Sequence, residues 1–392
     1  MALQFSPKHW LLDLAAPRWL EFGIDRENGG FFETIDARTL ETSGAVKRLR
    51  TVSRQIFVFC ELHRLGATGA HEAINHGLDF LLNQHAREDG AFHERVTCKG
   101  EPLEGSISLY DSAFALFALA KAYSLNSEPR LRDTAITLLA FLNQQLRHPE
   151  WGFIERFPNV GDREQNPHMH LLEAALAWLD NDADGPFRAL AISLLETLEC
   201  HLFCPELGIL SEFPENKDGS LAQVHRFEPG HHFEWIWLLD WAATHHLPVP
   251  KISRALEKHA LTDGLSAQTQ VPYGAVSIPG GVIEQECRIW QVTEWTRAAA
   301  LGLLENSLDD DFRSAQLMGR FLDFPVSGFW YERCRCADGK MIEEPVKATS
   351  FYHVIGAISA LIKRPESATT MMHITAFSHQ QHVDASQGEG SW

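Results

Sequence analysis

The sequence lacks a basic surplus. Its 392 residues hold 34 Lys plus Arg against 52 Asp plus Glu, a formal charge of −18. Without clustered cations, neither nucleic acid nor an anionic membrane has much to hold. A long apolar run is also missing: no stretch of about 18 apolar residues occurs, so no helix is expected to span a membrane. Cysteine is sparse, with seven residues scattered from Cys60 to Cys336 and a C-x-C at Cys334 and Cys336 in place of paired C-x-x-C spacing. That pattern argues against a structural zinc site. No G-x-x-x-x-G-K-S/T loop appears, so no cofactor is expected. The opening MALQFSPKHWLLDL has no basic leader ahead of an apolar stretch, which makes the cytoplasm the expected location.

What is present is a globular composition, 45% hydrophobic and 22% charged, and an internal repeat. A Gly-centred phrase with apolar residues and often a Glu after it returns six times. It reads NGGFFET at Gly30, EDGAFHE at Gly90, EWGFIER at Gly152, ELGILSE at Gly208, PYGAVS at Gly274 and SGFWYER at Gly328. The glycines are 60, 62, 56, 66 and 54 residues apart. The fifth copy has no Glu.

Between phrases lie pairs of stretches with apolar residues three and four apart, the mark of amphipathic helices. The first pair begins at Val46 and His71; later pairs begin near Asp111 and Leu131, His168 and Pro186, Gly230 and Lys251, and Cys287 and Asp309. Single helices are expected from Lys8 to Phe22 and from Thr349 to Lys363. Pairing those two gives six hairpins and a closed ring. Open helical solenoids use shorter repeats of about 34 to 47 residues and need polar caps at their ends. The expectation is therefore an all-α chain: one (α/α)6 barrel over residues 1–363 with short β-hairpin loops at one end. Residues 364–392 read as a loosely packed tail.

The first helix of each hairpin carries polar residues near its start, so the inner ring should line one end of a cavity. His231 opens a helix in EPGHHFEW, where the dipole keeps an imidazole nearer neutral and fit to act as a base. A capping role for His231 or His232, with Glu234 in a capping box, is the competing reading. His353 in SFYHVIGAI lies at the matching place two inner helices on. Arg54 interrupts an apolar face in SRQIFVF; it is either a salt-bridged arginine or a fixed cation for an oxyanion. In NPHMHLLEA, His168 and His170 point to different sides of a helix, so no metal site is expected, while His170 and Glu173 share a face. Tyr110, Phe31, Trp290 and Trp330 offer rings on which a sugar could stack.

These motifs, with YDSAFALFALA from Tyr110, PGHHFEWIWLL from Pro229 and IWQVTEWTRAA from Ile289, resemble the N-acylglucosamine 2-epimerase family over nearly the whole chain. The resemblance implies metal-free proton transfer on an aldose, with His231 and His353 as the acid–base groups and Arg54 stabilising an enediolate. It also implies that His170, Glu173, Glu234, Trp290 and Glu294 line the sugar site, where Tyr110 and Asp111, polar residues at the start of an inner helix, are expected as well. The Trp in GHHFEW and the NPHMHLLEA motif look most like the mannose isomerases, so the expected reaction interconverts D-mannose, or a related aldose such as lyxose, with the matching ketose. A sugar 2-epimerase and an (α/α)6 glycoside hydrolase are the alternatives. The expected partner is a monosaccharide, with the chain a monomer or homodimer.

Overall fold

The structure, a computed structural model, describes residues 6–158, 163–215, 222–305 and 307–363; the predicted tail at 364–392 lies outside the described residues. The chain is mostly helical. Counting π-helical turns with the helices they continue, the helices are α1 (7–22), α2 (Leu49–Arg64), α3 (70–85), α4 (Leu109–Asn126), α5 (Pro129–Gln145) and α6 (Gln165–Leu179). They continue with α7 (187–202), α8 (Pro229–Thr244), α9 (Ser253–Thr262), α10 (Ile289–Ala300), α11 (Ser307–Leu322) and α12 (Ala348–Lys363). Short strands between them pair into small antiparallel sheets of two or three strands.

The helices form two sets. Helices α2, α4, α6, α8, α10 and α12 pack each on the next, and α12 returns to α2. The others lie outside: α3 on α2, α5 on α4, α7 on α6, α9 on α8, α11 on α10 and α1 on α12. Burial follows the sequence. The inner helix α8 (PGHHFEWIWLLDWAAT) is buried on every side from Pro229 to Leu239, whereas the outer helix α9 buries only Leu256, Glu257 and Ala260 along a single stripe.

The repeated phrase makes the turn that leads back from each outer helix. Gly30, Gly90, Gly152, Gly208 and Gly328 have φ of 69°, 87°, 59°, 71° and 89°, a region open to Gly at little cost. Gly274 does not. In the fifth copy, Ser266 N bonds Val271 O and Tyr273 N bonds Gly264 O, as Asp25 N bonds Gly30 O and Phe32 N bonds Gly23 O in the first. Val271 therefore matches Gly30, and Gln270 takes the left-handed turn with φ of 57°. This corrects the sequence reading: Gly274 stands where the other copies place their Glu.

That Glu is structural. The main-chain carbonyls of Glu94, Glu155, Glu212, Glu332 and Glu33 accept the first N–H of α2, α4, α6, α10 and α12, groups that a helix leaves unpaired. Helix α8 starts with Pro229, which has no N–H to satisfy. The Glu33 carboxylate also accepts Arg48 N at 2.8 Å and Thr51 Oγ1 at 2.7 Å at the start of α2. Glu332 treats Lys347 N and Ser350 Oγ of α12 alike, both at 2.7 Å. Glu33 thus ties α12 to α2, and Glu332 ties α10 to α12. Where Gly274 replaces it, Gln291 of α10 accepts Arg288 N at 3.0 Å and donates to Gly274 O at 2.9 Å.

Candidate active site

Residues at one register of all six inner helices meet inside the ring. The second residues are Arg50, Tyr110, Asn166, Gly230, Trp290 and Thr349; the sixth are Arg54, Phe114, His170, Glu234, Glu294 and His353; the ninth are Phe57, Phe117, Glu173, Trp237, Arg297 and Gly356. Steps of four and three keep one helix face inward. Three layers result, from a mouth ringed by hairpins down to a floor. The sixth-residue layer is continuous: Arg54 lies 4.0 Å over the Phe114 ring, Phe114 lies 4.4 Å from the His170 ring, and Glu294 reaches His353.

A cavity of about 580 Å³ opens above this layer, lined by Arg54, Tyr110, His170, His231, Glu234, Trp290 and His353. These are seven of the ten residues expected at the site. The other three sit behind it. Glu294 accepts His353 Nδ1 at 2.7 Å and Trp237 Nε1 at 2.7 Å. Glu173 accepts Tyr352 Oη at 2.5 Å and pairs with His170 Nδ1 at 3.1 Å. Asp111 is buried and bound by Arg50 at 3.1 Å. Phe31 and Trp330 do not line the cavity either; both are fully buried, with Trp330 stacked on Trp19 at 5.4 Å.

The open alternatives now separate. His232 is structural, accepting Leu210 N and facing Leu256 O, both at 3.2 Å. His168 accepts Phe153 N at 2.9 Å and faces Glu164 O at 2.6 Å, so the two imidazoles of NPHMHLLEA do serve different sides. Glu234 is the sixth residue of its helix and caps nothing; both its oxygens are buried without a hydrogen-bond partner. Arg54 has no carboxylate partner among the described residues. It donates to Tyr110 Oη at 2.6 Å and Thr349 O at 3.3 Å. A cation held by neutral oxygens keeps its charge available to a ligand.

Besides His170 with Glu173, two histidine–carboxylate pairs face this cavity, His231 with Glu212 and His353 with Glu294, and Trp290 lies between these two imidazoles, 4.8 Å from the His231 ring and 5.7 Å from that of His353. Gly230 makes this possible, since a Cβ there would stand 2.5 Å from the indole. His231 Nδ1 lies 2.8 Å from Glu212 Oε1. Burial pushes the His231 imidazole down, but the Glu212 charge and hydrogen bond outweigh it and hold its pKa above the usual value; Glu212 is correspondingly lowered. His353 is the reverse case. Burial and the Arg54 charge hold it well below the usual range, and burial raises Glu294 to about 7. One pair is therefore biased towards imidazolium and carboxylate, the other towards neutral imidazole. Glu234 is raised well above the ordinary value by burial, then by Glu294 and Glu173.

Three groups here have donors within 4.8 Å of one another and of metal-binding type: His170, Glu173 and Glu234; Glu212, Glu228 and His231; and Glu234, Glu294 and His353. In each, the imidazole Nδ1 already faces a carboxylate of its own trio. Sequence reasoning missed Glu212, Trp237 and Tyr352. Glu212 was visible as the Glu of the fourth repeat phrase, and Tyr352 stands beside His353 in SFYHVIGAI.

The N-acylglucosamine 2-epimerase family model matches residues 30–357. A mannose-6-phosphate isomerase of Rhizobium meliloti is 32% identical over 373 residues, covering 90% of this chain and 95% of that one. The solved cellobiose 2-epimerase of Bacillus thermoamylovorans superposes with a TM-score of 0.81 at 18% identity, over 91% of this chain and 98% of that one. A crystal structure of D-mannose isomerase gives 0.76 at 17% identity, over 90% and 97%. At those identities the superpositions speak for the fold alone. With the family model spanning most of its length, this chain belongs to the N-acylglucosamine 2-epimerase family of sugar epimerases and isomerases.

Proposed function

We propose that the protein is an aldose–ketose isomerase converting D-mannose to D-fructose through a cis-enediol, in a single (α/α)6 barrel. The observation that carries this reading is the pair of imidazoles flanking one cavity, each held at Nδ1 by a carboxylate and biased to opposite protonation states. Protonated His231 gives its proton to the ring oxygen as the C1–O5 bond breaks, and the proton released by the anomeric hydroxyl as C1=O1 forms restores His231. Neutral His353 removes the C2 proton, and the C2–H electron pair becomes the C1–C2 double bond. The charge gathering on the former carbonyl oxygen is stabilised by Arg54. His353 then returns its proton to C1 as the O2 proton passes to O1 and C2=O2 forms, giving the ketose. Trp290 and Tyr110 hold the sugar, and Glu234, carrying its own proton, bonds a hydroxyl.

Other readings fit less well. A glycoside hydrolase needs two carboxyl groups flanking the bond it cleaves, yet Glu173 and Glu294 are turned away into bonds with Tyr352, His170, Trp237 and His353. A phosphorylated sugar needs free cations. Those at the mouth are paired, Arg226 with Glu228 and Glu284 at 2.8 Å, Arg288 with Glu284 at 3.7 Å, Arg333 with Glu344 at 2.8 Å and Lys347 with Glu344 at 3.2 Å. A neutral monosaccharide therefore suits the cavity better. A 2-epimerase is the second reading, because Trp290 brings both imidazoles to one ligand position. The test offers D-mannose, mannose 6-phosphate and N-acetylmannosamine after chelator treatment. Fructose from mannose, undiminished by the chelator, is expected; turnover of only the phosphorylated or N-acylated sugar would sink the assignment.

A further inference from the structure

Glu212 is the fourth copy of the repeated acid; its carboxylate caps the next inner helix as those of Glu33 and Glu332 do, but meets a different third residue there. At α2 and α12, the third helical residue that bonds the acid is a hydroxyl, Thr51 on Glu33 and Ser350 on Glu332, each at 2.7 Å. At α8 the third residue is His231, and Nδ1 sits where the hydroxyls do, 2.8 Å from Glu212 Oε1. The same oxygen accepts the N-cap N–H of Glu228 at 3.2 Å, as Glu33 and Glu332 do for their helices. Its other oxygen accepts Gln165 Nε2 at 3.0 Å, and Gln165 Oε1 in turn accepts Trp235 Nε1 at 2.6 Å. The carboxylate is gripped by α6 and α8 together.

We propose that Glu212 is a positioning residue that turns a helix-capping device into the mount of the ring-opening acid. It fixes the His231 ring through Nδ1 and presents Nε2 to the cavity. The inference rests on the isomerase reading for the role of His231. A hydroxyl at that position only caps the helix; an imidazole keeps the cap and adds a proton that a buried carboxylate can hold in place. The groups facing His231 are Glu212 from the hairpin, Glu228 from the start of its own helix, Glu294 from α10 and His353 from α12. Three of the four are acids. Glu228 is drawn off by Arg226 at 2.8 Å, and Glu294 is committed to His353 and Trp237, which leaves Glu212 as the direct partner.

The experiment pairs Glu212→Gln with Glu33→Gln, which weakens the same device at α2 where the partner is Thr51. Glu212→Gln is expected to move the alkaline limb of the kcat/KM profile for mannose to lower pH, with kcat at pH 8 down about tenfold for each pH unit the limb moves and KM nearly unchanged. Glu33→Gln is expected to lower the melting temperature and leave the limb in place. Histidine NMR of the unaltered protein, assigned with His231→Asn, is expected to show His231 titrating above the ordinary 6.5. An unmoved limb in Glu212→Gln overturns the inference. Should that variant not fold, a His231 titration at or below 6.5 in the unaltered protein overturns it instead. His231→Asn with full turnover of mannose would instead remove His231 from the reaction, a failure of the isomerase reading itself.

Discussion

Nδ1 of His353 lies 2.7 Å from Oε1 of Glu294, whose second oxygen accepts the Trp237 indole N–H at 2.7 Å. The carboxyl group reaches across from α10 to α12 and orients the imidazole from behind. Burial, with Arg54 adding its charge, keeps this imidazole neutral below the ordinary 6.5. A base must be unprotonated to act, so activity should persist as pH falls through 6.5 and fail only below it. Arg54→Met removes the largest of the charges that depress it. The acid limb should then move to higher pH, and kcat should fall by about 10²–10³ through loss of the cation that stabilises the enediolate. His353→Asn should lower kcat by about 10²–10⁴. A pH–rate profile of the three proteins checks all of this.

Gly230 and Trp290 make a second, purely steric relationship. Gly230 is a helical residue with no need of unusual backbone angles; its value is the missing Cβ, which would meet the indole at 2.5 Å. Gly230→Ala should displace Trp290 from between the two imidazoles. The expected result is a raised KM and a shifted tryptophan emission, with stability lowered by about 1–3 kcal/mol, the usual cost of overpacking. Unaltered emission and KM would mean that the indole has room to spare.

Gln291 replaces the Glu missing from the fifth repeat. Gln291→Ala removes the cap from Arg288 N and leaves Gly274 O and Tyr273 O without their donor. Stability should fall by about 1–2 kcal/mol, measurable as a lower denaturation midpoint with unchanged slope.

Lys47 and Asp25 form a buried ion pair at 2.7 Å, Lys47 fully buried and Asp25 3% exposed. Burial raises the Asp25 carboxyl, but bonds from Lys47 and Asn28 overcome it and leave the group below the ordinary 3.8. Because the folded pKa is depressed, this group stabilises the fold above the unfolded value of 3.8 and loses that contribution as pH falls through its folded pKa. Asp25→Ala should cost about 3–5 kcal/mol at neutral pH, since it strands a buried ammonium. The difference between the two proteins should shrink on acidification, as urea melts at pH 7 and pH 3 will tell.

Much of this arrangement is legible in the sequence. The helix pairs begin within a few residues of their predicted starts, because each apolar stretch is long and strongly periodic. His231, His353 and Arg54 stood out as charged or titratable groups in apolar helix faces. The register connecting Arg54, His170, Glu234, Glu294 and His353 could have been counted from the helix starts, yet it needs the N-caps, which sequence places poorly. The fifth repeat misled because Gly274 mimics a turn glycine while Gln270 makes the turn, and no propensity points to glutamine in a left-handed position. Glu173, Glu294 and Asp111 share a helix face with the lining residues or lie beside them. Which carboxylates meet the ligand and which meet an imidazole or arginine depends on depth within the ring, and periodicity along one helix carries no information about that.

The most direct test is proton NMR of the purified protein with D-mannose in heavy water. Fructose is expected as the first product, with deuterium confined to C1 and its extent reporting how far solvent exchanges with the His353 proton. Glucose appearing ahead of fructose and deuterated at C2 would contradict the isomerase mechanism, because both imidazoles would then have to act at the same carbon.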